Sequence, residues 1–252
     1  MKLVNKYGAP EAFFRAVQND PYEKHGDFSA TGLLQPPRAM VLLELHKETI
    51  EVDVTTKIAT CIGQGVHSLL ERAARPGIDI KEKRYFANFE VDGKTYVVSA
   101  QIDLYEGDSK TLSDWKTTKA FAFSKKSGGG KKPEWVSQMN IQRFLMEQNG
   151  VEVRTMQIIG LLKDWNKREA GVNGYPVSEI VTAEMPLWSR EATNEFIVDR
   201  IRAHVNARTH LPQCSLKENW GGNRCKGWCD AASVCDQYQK SLKTGLISEV
   251  AE

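Results

Sequence analysis

The stretch Ile102–Lys119, "IDLYEGDSKTLSDWKTTK", decides the fold. Apolar and polar residues alternate on both sides of a polar turn from Glu106 to Lys110, the pattern of a β-hairpin. Side chains two apart on a strand share a face, so Asp114 and Lys116 point the same way. With the turn centred on Gly107 and Asp108, residue 103 pairs with 112. Asp114 then lies two positions further along the face that carries Asp103. The two carboxylates become diagonal neighbours, with β-carbons about 7 Å apart or less. Two acids this close among Val97, Ile102, Leu104 and Leu112 repel unless positive charge stands between them. A hard divalent cation is one answer. A solvated strand face with an Asp114–Lys116 pair worth under about 1 kcal/mol is the other. One extra residue in the turn would turn one aspartate to the opposite face.

Upstream, strand periodicity runs back to Ile80, with Asp92-Gly93 as a second tight turn. Residues 80–118 read as a three-stranded antiparallel meander. Downstream, "FAFSKKSGGGKKPEW" is a lysine-rich glycine loop, expected to be flexible. A helix follows, with Pro133 near its start and Gly150 past its end. "EVRTMQIIGLLKDW" and "SEIVTAEMPLW" read as strands, and Ser189 caps a helix through "REATNEFIVDRIRAHVNART". Before the meander, "VTTKIATCIGQGVHSLLERAARPG" has helical spacing, with Ile58, Ile62, Val66, Leu69 and Ala73 near one face. Residues 1–60 read as a helical and irregular lead-in, with a Pro36-Pro37 break and Met40, Leu43 and Leu45 among the apolar positions of the run that follows. The order predicts a single α/β domain with a mixed sheet of about five strands flanked by helices. Its parts are a lead-in over 1–60, a core over 61–186, and a C-terminal helix with a cysteine-rich tail over 187–252.

The 252 residues carry a net charge of +2, with 41% hydrophobic and 26% charged side chains, ordinary values for a globular protein. Any polyanion-binding surface must come from local patterning. No run of about 18 apolar residues suggests a membrane span. The start, "MKLVNKYGAPEAFF", lacks the apolar stretch of a signal peptide, so an intracellular location is expected. Four of the five cysteines fall between Cys214 and Cys235. In a reducing compartment the cysteines point to metal binding or plain burial rather than disulfides.

"GQGVHSLLE" places His67 on the helix before the meander. Gly63 and Gly65 cost that helix about 1 kcal/mol each relative to alanine, tolerable where it must pack closely on a strand or substrate. His67 is a candidate metal ligand, or a half-buried histidine bonded to Glu71 one turn away.

Taken in order, "GQGVHSLLE", "SAQIDLYEG", "LSDWKTTK" and "SQMNIQRFLM" resemble the PD-(D/E)XK nuclease superfamily. More narrowly they resemble its RecB-type branch, which includes exonucleases of CRISPR adaptation and many phage nucleases. The motifs span about residues 63–146, and "FSATGLLQPPRAM" is similar to the lead-in of phage members. The resemblance implies a restriction-endonuclease-like core and a Mg²⁺- or Mn²⁺-dependent deoxyribonuclease. His67, Asp103, Asp114 and the Trp115 backbone carbonyl would bind the metal, and Lys116 would be the catalytic lysine. Gln138 matches the glutamine of a Q-x-x-x-Y motif that organises the site and the DNA strand. The tyrosine position is Gln142, and Ala100 replaces a frequent glycine.

The tail "CSLKENWGGNRCKGWCDAASVC" sets Cys214, Cys225, Cys229 and Cys235 without a tight C-x-x-C pair. Four thiolates hold a 4Fe–4S cluster or a structural Zn²⁺. The spacing resembles the cysteine staple of iron–sulfur RecB-type nucleases, so 4Fe–4S is expected first and zinc second. Cys61 lies in the His67 helix and reads as core. Lys125, Lys126, Lys131 and Lys132, with Gln142, are the candidate DNA contacts; an equally fair account of the lysines is a solvated loop. Phe121, Phe123 and Trp135 could stack on bases or pack in the core, and Trp135 favours core.

The expected function is hydrolysis of DNA phosphodiesters, as an exonuclease on single strands or ends, in the cytoplasm of a bacterial or phage-infected cell. Recombination or replication proteins are natural partners. A non-catalytic DNA-binding partner that keeps fold and cluster, or a zinc-stapled binding protein, would share most of these features.

Overall fold

The computed structural model describes residues 1–21, 23 and 25–245. In chain order the elements are β1 (Lys2–Val4), α1 (Glu11–Gln18), β2 (Phe28–Ser29), α2 (Ala30–Leu33), α3 (Pro37–Leu45) and β3 (Glu51–Asp53). Next come α4 (Ile58–Leu70), β4 (Ile80–Lys81), β5 (Arg84–Val91), β6 (Lys94–Gln101), β7 (Leu104–Glu106), β8 (Thr111–Thr118) and α5 (Pro133–Gln148). The chain closes with β9 (Thr155–Leu162), β10 (Ile180–Glu184), α6 (Arg190–Ala207), α7 (Asn223–Gly227) and α8 (Asp236–Lys243). Two compact units form, one from Met1–Glu23, Gln35–Ile58 and Asp199–Glu252, the other from Lys24–Leu34 and Ala59–Val198.

The second unit holds a five-stranded mixed sheet in the order β10-β9-β8-β7-β4 and a three-stranded sheet in the order β2-β6-β5. Between β5 and β6, Asp92 and Gly93 both take positive φ, 50° and 77°, as a two-residue hairpin turn demands. The predicted meander is present, but the chain leaves one sheet for the other at Ile102-Asp103. Backbone bonds bridge the crossing: Ile102 N–H donates to Lys83 O at 3.0 Å and Glu82 N–H to Asp103 O at 3.2 Å.

β7 and β8 pair with Leu104 opposite Ser113, Tyr105 opposite Leu112 and Glu106 opposite Thr111. One further step along this register sets Asp103 opposite Asp114. The expected register was 103 against 112. The turn is centred one residue later than expected, which slides the pairing by two positions and leaves the shared face intact. Several contacts fix it. A Cβ at Gly107 would come within 2.2 Å of Ile78 O, so only glycine fits there. Asp79 accepts from Gly107 N–H at 3.1 Å and from Arg75 Nε and Nη2 at 2.8 Å each. Arg75 Nη1 also meets Asp108 at 2.7 Å.

β8 lies parallel to β9, an arrangement that requires a crossover, and α5 supplies it. β10 completes the sheet antiparallel to β9. α5 buries Met139, Ile141 and Leu145 in the same unit as Leu112, Met156 and Ile158, all fully buried. The predicted caps hold: Pro133 opens α5, and Ser189 Oγ accepts from Ala192 N–H at 3.0 Å ahead of α6.

In the first unit the lead-in is not wholly helical, since β1 and β3 pair in parallel, Lys2 opposite Glu51. α3 buries Ala39, Val41 and Leu42, whereas Met40 and Leu45 face outward. Leu42, Ala231 and Cys235 form a small core with Leu43, Cys229, Val234 and Tyr238 around it. No helix among the described residues is long and apolar enough to cross a membrane.

Candidate metal centre

Four elements of the second unit converge on the crossing at Asp103. α4 brings His67. Gly63, His67 and Leu70 recur at helical spacing, and a Cβ on Gly63 would sit 3.8 Å from Thr117 Oγ1 of β8. The face carrying glycine and histidine is therefore turned to the sheet. On the apolar stripe, Ile62 and Leu69 are 47% and 52% exposed. Gly65 has open space around its Cα, so close packing accounts for Gly63 alone. Glu71 is not the partner of His67, for it takes Lys81 instead, at 3.5 Å. His67 Nδ1 lies 3.5 Å from Asp103 Oδ1 and 3.8 Å from Glu82 Oε1.

Asp103 accepts Trp115 N–H at 2.8 Å through its other oxygen. Trp115 thus reaches the site by its amide. One strand over, Asp114 is 2% exposed at its side chain, and its Oδ2 lies 2.6 Å from Lys116 Nζ. That contact is off hydrogen-bond geometry, and Oδ2 is a buried acceptor with no hydrogen-bond donor. Gln138 of α5 closes the group, donating Nε2–H to Asp114 Oδ1 at 2.8 Å and accepting from Lys116 Nζ at 3.4 Å. Residues from α4, the bend entering β7, β8 and α5 meet as the motif order implied.

Burial first, and the Asp114 charge second, push the Asp103 carboxyl up to about 7. The Glu82 carboxylate raises His67, overcoming the effect of burial. Burial works against the Lys116 ammonium, yet Asp114 and then Asp103 outweigh it and hold Lys116 above its ordinary value. Burial also opposes ionisation of Glu82, but His67 and Gln101 draw its pKa below the usual carboxylate range. Three carboxylates, one imidazole and one ammonium are thus coupled in a largely buried site.

Glu82 is the residue that sequence reasoning missed. His67, Glu82 and Asp103 offer ligand atoms within 4.8 Å of one another, a set able to hold a metal ion. Glu82 sits at the bend between β4 and β5 with φ 45°, rare for a side chain other than glycine. Gln101 Nε2 donates to Glu82 Oε2 at 2.5 Å, and Arg84 Nη2 holds Gln101 Oε1 at 2.6 Å. Glu82 stands within "KEKR", which reads as a solvated charge run. Its only sequence signal is a lone acid entering the hairpin across from Asp103.

Gln142, expected to contact DNA, is buried at 3% exposure. Its Nε2 donates to the Gln101 carbonyl at 3.1 Å, so the side chain braces β6 from within. The lysine loop is a built structure rather than an open one. Gly129 N–H donates to Ser124 O and Gly130 N–H to Ala122 O, while Phe123 is buried against Trp135, ring centroids 5.8 Å apart. Lys132 Nζ lies 4.6 Å above the half-buried Trp135 ring. Lys125, Lys126 and Lys131 make no ion pair among the described residues.

In the first unit, Cys214, Cys225, Cys229 and Cys235 all line one cavity of about 20 Å³, and none forms a disulfide. Arg38, 3% exposed, donates Nε–H to Cys235 Sγ at 3.4 Å and pairs with Asp236. Gln237 clasps Cys214 from both sides, accepting its N–H at 2.8 Å and donating to its carbonyl at 2.9 Å. Burial, followed by the neighbouring Glu218 and Cys235, pushes the Cys214 thiol up to about 12.

No protein-family model matches the chain, and no curated protein matches it. Among solved structures, the chain is similar to that described as "Crystal structure of SSO0001", with a TM-score of 0.60 and 15% identity over 90% of this chain and 93% of that one. At that identity the likeness establishes a shared fold. A phage related exonuclease from Haemophilus somnus 129PT aligns at a TM-score of 0.41 and 15% identity, over 69% of this chain and 80% of that one. The five-stranded mixed sheet flanked by helices is consistent with a restriction-endonuclease-like core.

Proposed function

We propose that the protein is a divalent-metal-dependent deoxyribonuclease of RecB type. The observation that carries this reading is the pairing of two groups at one crossing of the sheet: the His67–Glu82–Asp103 ligand set and the Lys116–Asp114–Gln138 triangle. The donor chemistry fits a hard cation, with one imidazole and two carboxylates. Burial and the neighbouring Asp114 raise the pKa of Asp103, and a cation bound at its carboxylate would relieve that cost.

In this reading His67, Glu82 and Asp103 hold Mg²⁺ or Mn²⁺, and Asp114 adds a further oxygen. The cation, when bound, supplies Lewis acidity toward a phosphate oxygen and lowers the pKa of a neighbouring water. Lys116 stays cationic because two aspartates face it, so it donates hydrogen bonds to the attacking water and steadies charge building on the phosphate. Gln138 fixes both Asp114 and Lys116, sparing their reorganisation at the moment of reaction. Gln101 orients Glu82 from behind.

The four cysteines hold a 4Fe–4S cluster. Four thiols gathered round one cavity match the donor number of such a cluster, and the sequence spacing without a tight C-x-x-C pair favours it over zinc. The substrate is DNA, as single strands or ends, and the setting is the cytoplasm of a bacterial or phage-infected cell alongside recombination or replication proteins. Asp114→Ala and Lys116→Ala should each abolish Mn²⁺-dependent cleavage of single-stranded DNA while circular dichroism stays native. Full cleavage by both variants would defeat the proposal.

A further inference from the structure

A cavity of about 690 Å³ opens in the second unit beyond the end of β8, walled by the loop after β8 and the loop between β9 and β10. It lies outside the metal centre, yet Lys116 and Phe121 are only five residues apart, at most about 18 Å of extended chain. Phe121 lines it and is 63% exposed, an aromatic face held open to solvent. The exposure is built in. The Phe121 carbonyl accepts from Ser124 N–H at 3.1 Å, Ser124 Oγ at 2.8 Å and Ser127 Oγ at 2.5 Å, which fixes the turn that carries the ring.

The opposite wall is equally fastened. Trp165 Nε1 donates to Pro176 O at 2.9 Å, and Asn166 N–H to the Tyr175 hydroxyl at 2.9 Å. Asp164 is spent on Ala120 N–H at 2.6 Å, tying the two walls together. Asn173 and Lys126 line the cavity with Asp164 and Glu169, while Asn166 Oδ1 accepts from Arg168 N–H at 3.0 Å and so stiffens the wall. The two loops, 119–132 and 163–179, contain seven lysines and one arginine against three acids. An exposed aromatic platform beside a lysine, set in loops of net positive charge, is the pairing that grips an unpaired nucleotide.

We infer that this cavity is a subsite for single-stranded DNA, in which Phe121 stacks on an unpaired base while Lys126 meets the adjacent phosphate. The inference rests on the reading of the β7–β8 site as a DNA site and names where the strand runs beyond it. A duplex cannot present a free base face to Phe121, so the subsite selects single strands.

The test is fluorescence anisotropy of a labelled oligodeoxythymidine against the full chain in chelator, where no cleavage occurs. Phe121→Ala should bind about 10-fold more weakly. Phe121→Trp should bind within about 2-fold of wild type, because it keeps the stacking face. A duplex of equal length should bind all three proteins alike. Wild-type affinity in Phe121→Ala, equal losses for strand and duplex, or no binding by wild type would each overturn the inference. If Phe121 controls binding but the wild type cleaves nothing when Mn²⁺ is added, the subsite stands and the nuclease proposal falls. If cleavage occurs and Phe121→Ala binds normally, the subsite alone falls.

Discussion

Replacing Asp103 with asparagine should stabilise the metal-free protein. The Asp103 carboxyl is raised from 3.8 to about 7 by burial and by the Asp114 charge. A pKa raised on folding means the folded state holds its proton more tightly than the unfolded chain. Stability is then complete below the unfolded pKa and is lost as pH rises through the folded one. A shift of this size corresponds to about 4 kcal/mol once pH passes the folded value, and to less than half of that near pH 5. The shift is net of the opposing pull of His67, the Trp115 amide and Lys116. Asparagine keeps the shape and an acceptor for Trp115 N–H but never ionises. With a gain of even about 2 kcal/mol, the Tm of Asp103→Asn should exceed wild type by several degrees at pH 8 in chelator. The gap should narrow as pH falls toward 5. Saturating Mn²⁺ at about 100 times Kd should return about 2.7 kcal/mol to the wild type and little to the variant. Differential scanning calorimetry at the two pH values, with and without Mn²⁺, reads all of this. An equal or lower Tm for the variant at pH 8 in chelator would refute the claim that burial and the Asp114 charge make an ionised Asp103 costly.

Glu82→Gln should weaken Mn²⁺ binding by at least about 10-fold in isothermal titration, and Gln101→Ala should do so to a smaller extent. Lys116→Ala should leave Mn²⁺ affinity within a few-fold of wild type while abolishing cleavage, separating the lysine from the ligands. Asp79→Asn should lower the Tm at pH 7, since Asp79 ties Arg75 to the β7–β8 turn and the Arg75 guanidinium holds its carboxyl well below the usual range. That stabilisation is present above the unfolded value of 3.8 and fades as pH falls below it, so the difference from wild type should shrink in acid. Anaerobically purified protein should be brown with broad absorbance near 400 nm, and Cys225→Ser should lose the colour; stoichiometric zinc in a colourless protein would contradict the cluster.

The period-two pattern of Ile102–Lys119 carried the site's essential geometry, because a shared face depends on parity and not on the exact register. The register itself depends on where the turn centres, and Gly107's contact with Ile78 is a long-range constraint that no local pattern reveals. Glu82 escaped for the same reason: it joins the site through a bend at positive φ and a cross-strand bond to Asp103, neither of which has a period. Helical periodicity found α4 correctly, and the face turned to the sheet carries Gly63 and His67. Gln142 follows the motif spacing, yet helix geometry turns it into the interior. The clustering of cysteines was legible in spacing alone, while the Gln237 clasp on Cys214 was not.

The most direct test of the central claim is the release of labelled nucleotides from end-free single-stranded DNA by wild-type protein, with Mn²⁺ and with chelator. Product that accumulates with Mn²⁺, disappears in chelator and is absent for Lys116→Ala is the predicted result. No product from natively folded wild type in saturating Mn²⁺, or equal product from Lys116→Ala, would contradict it.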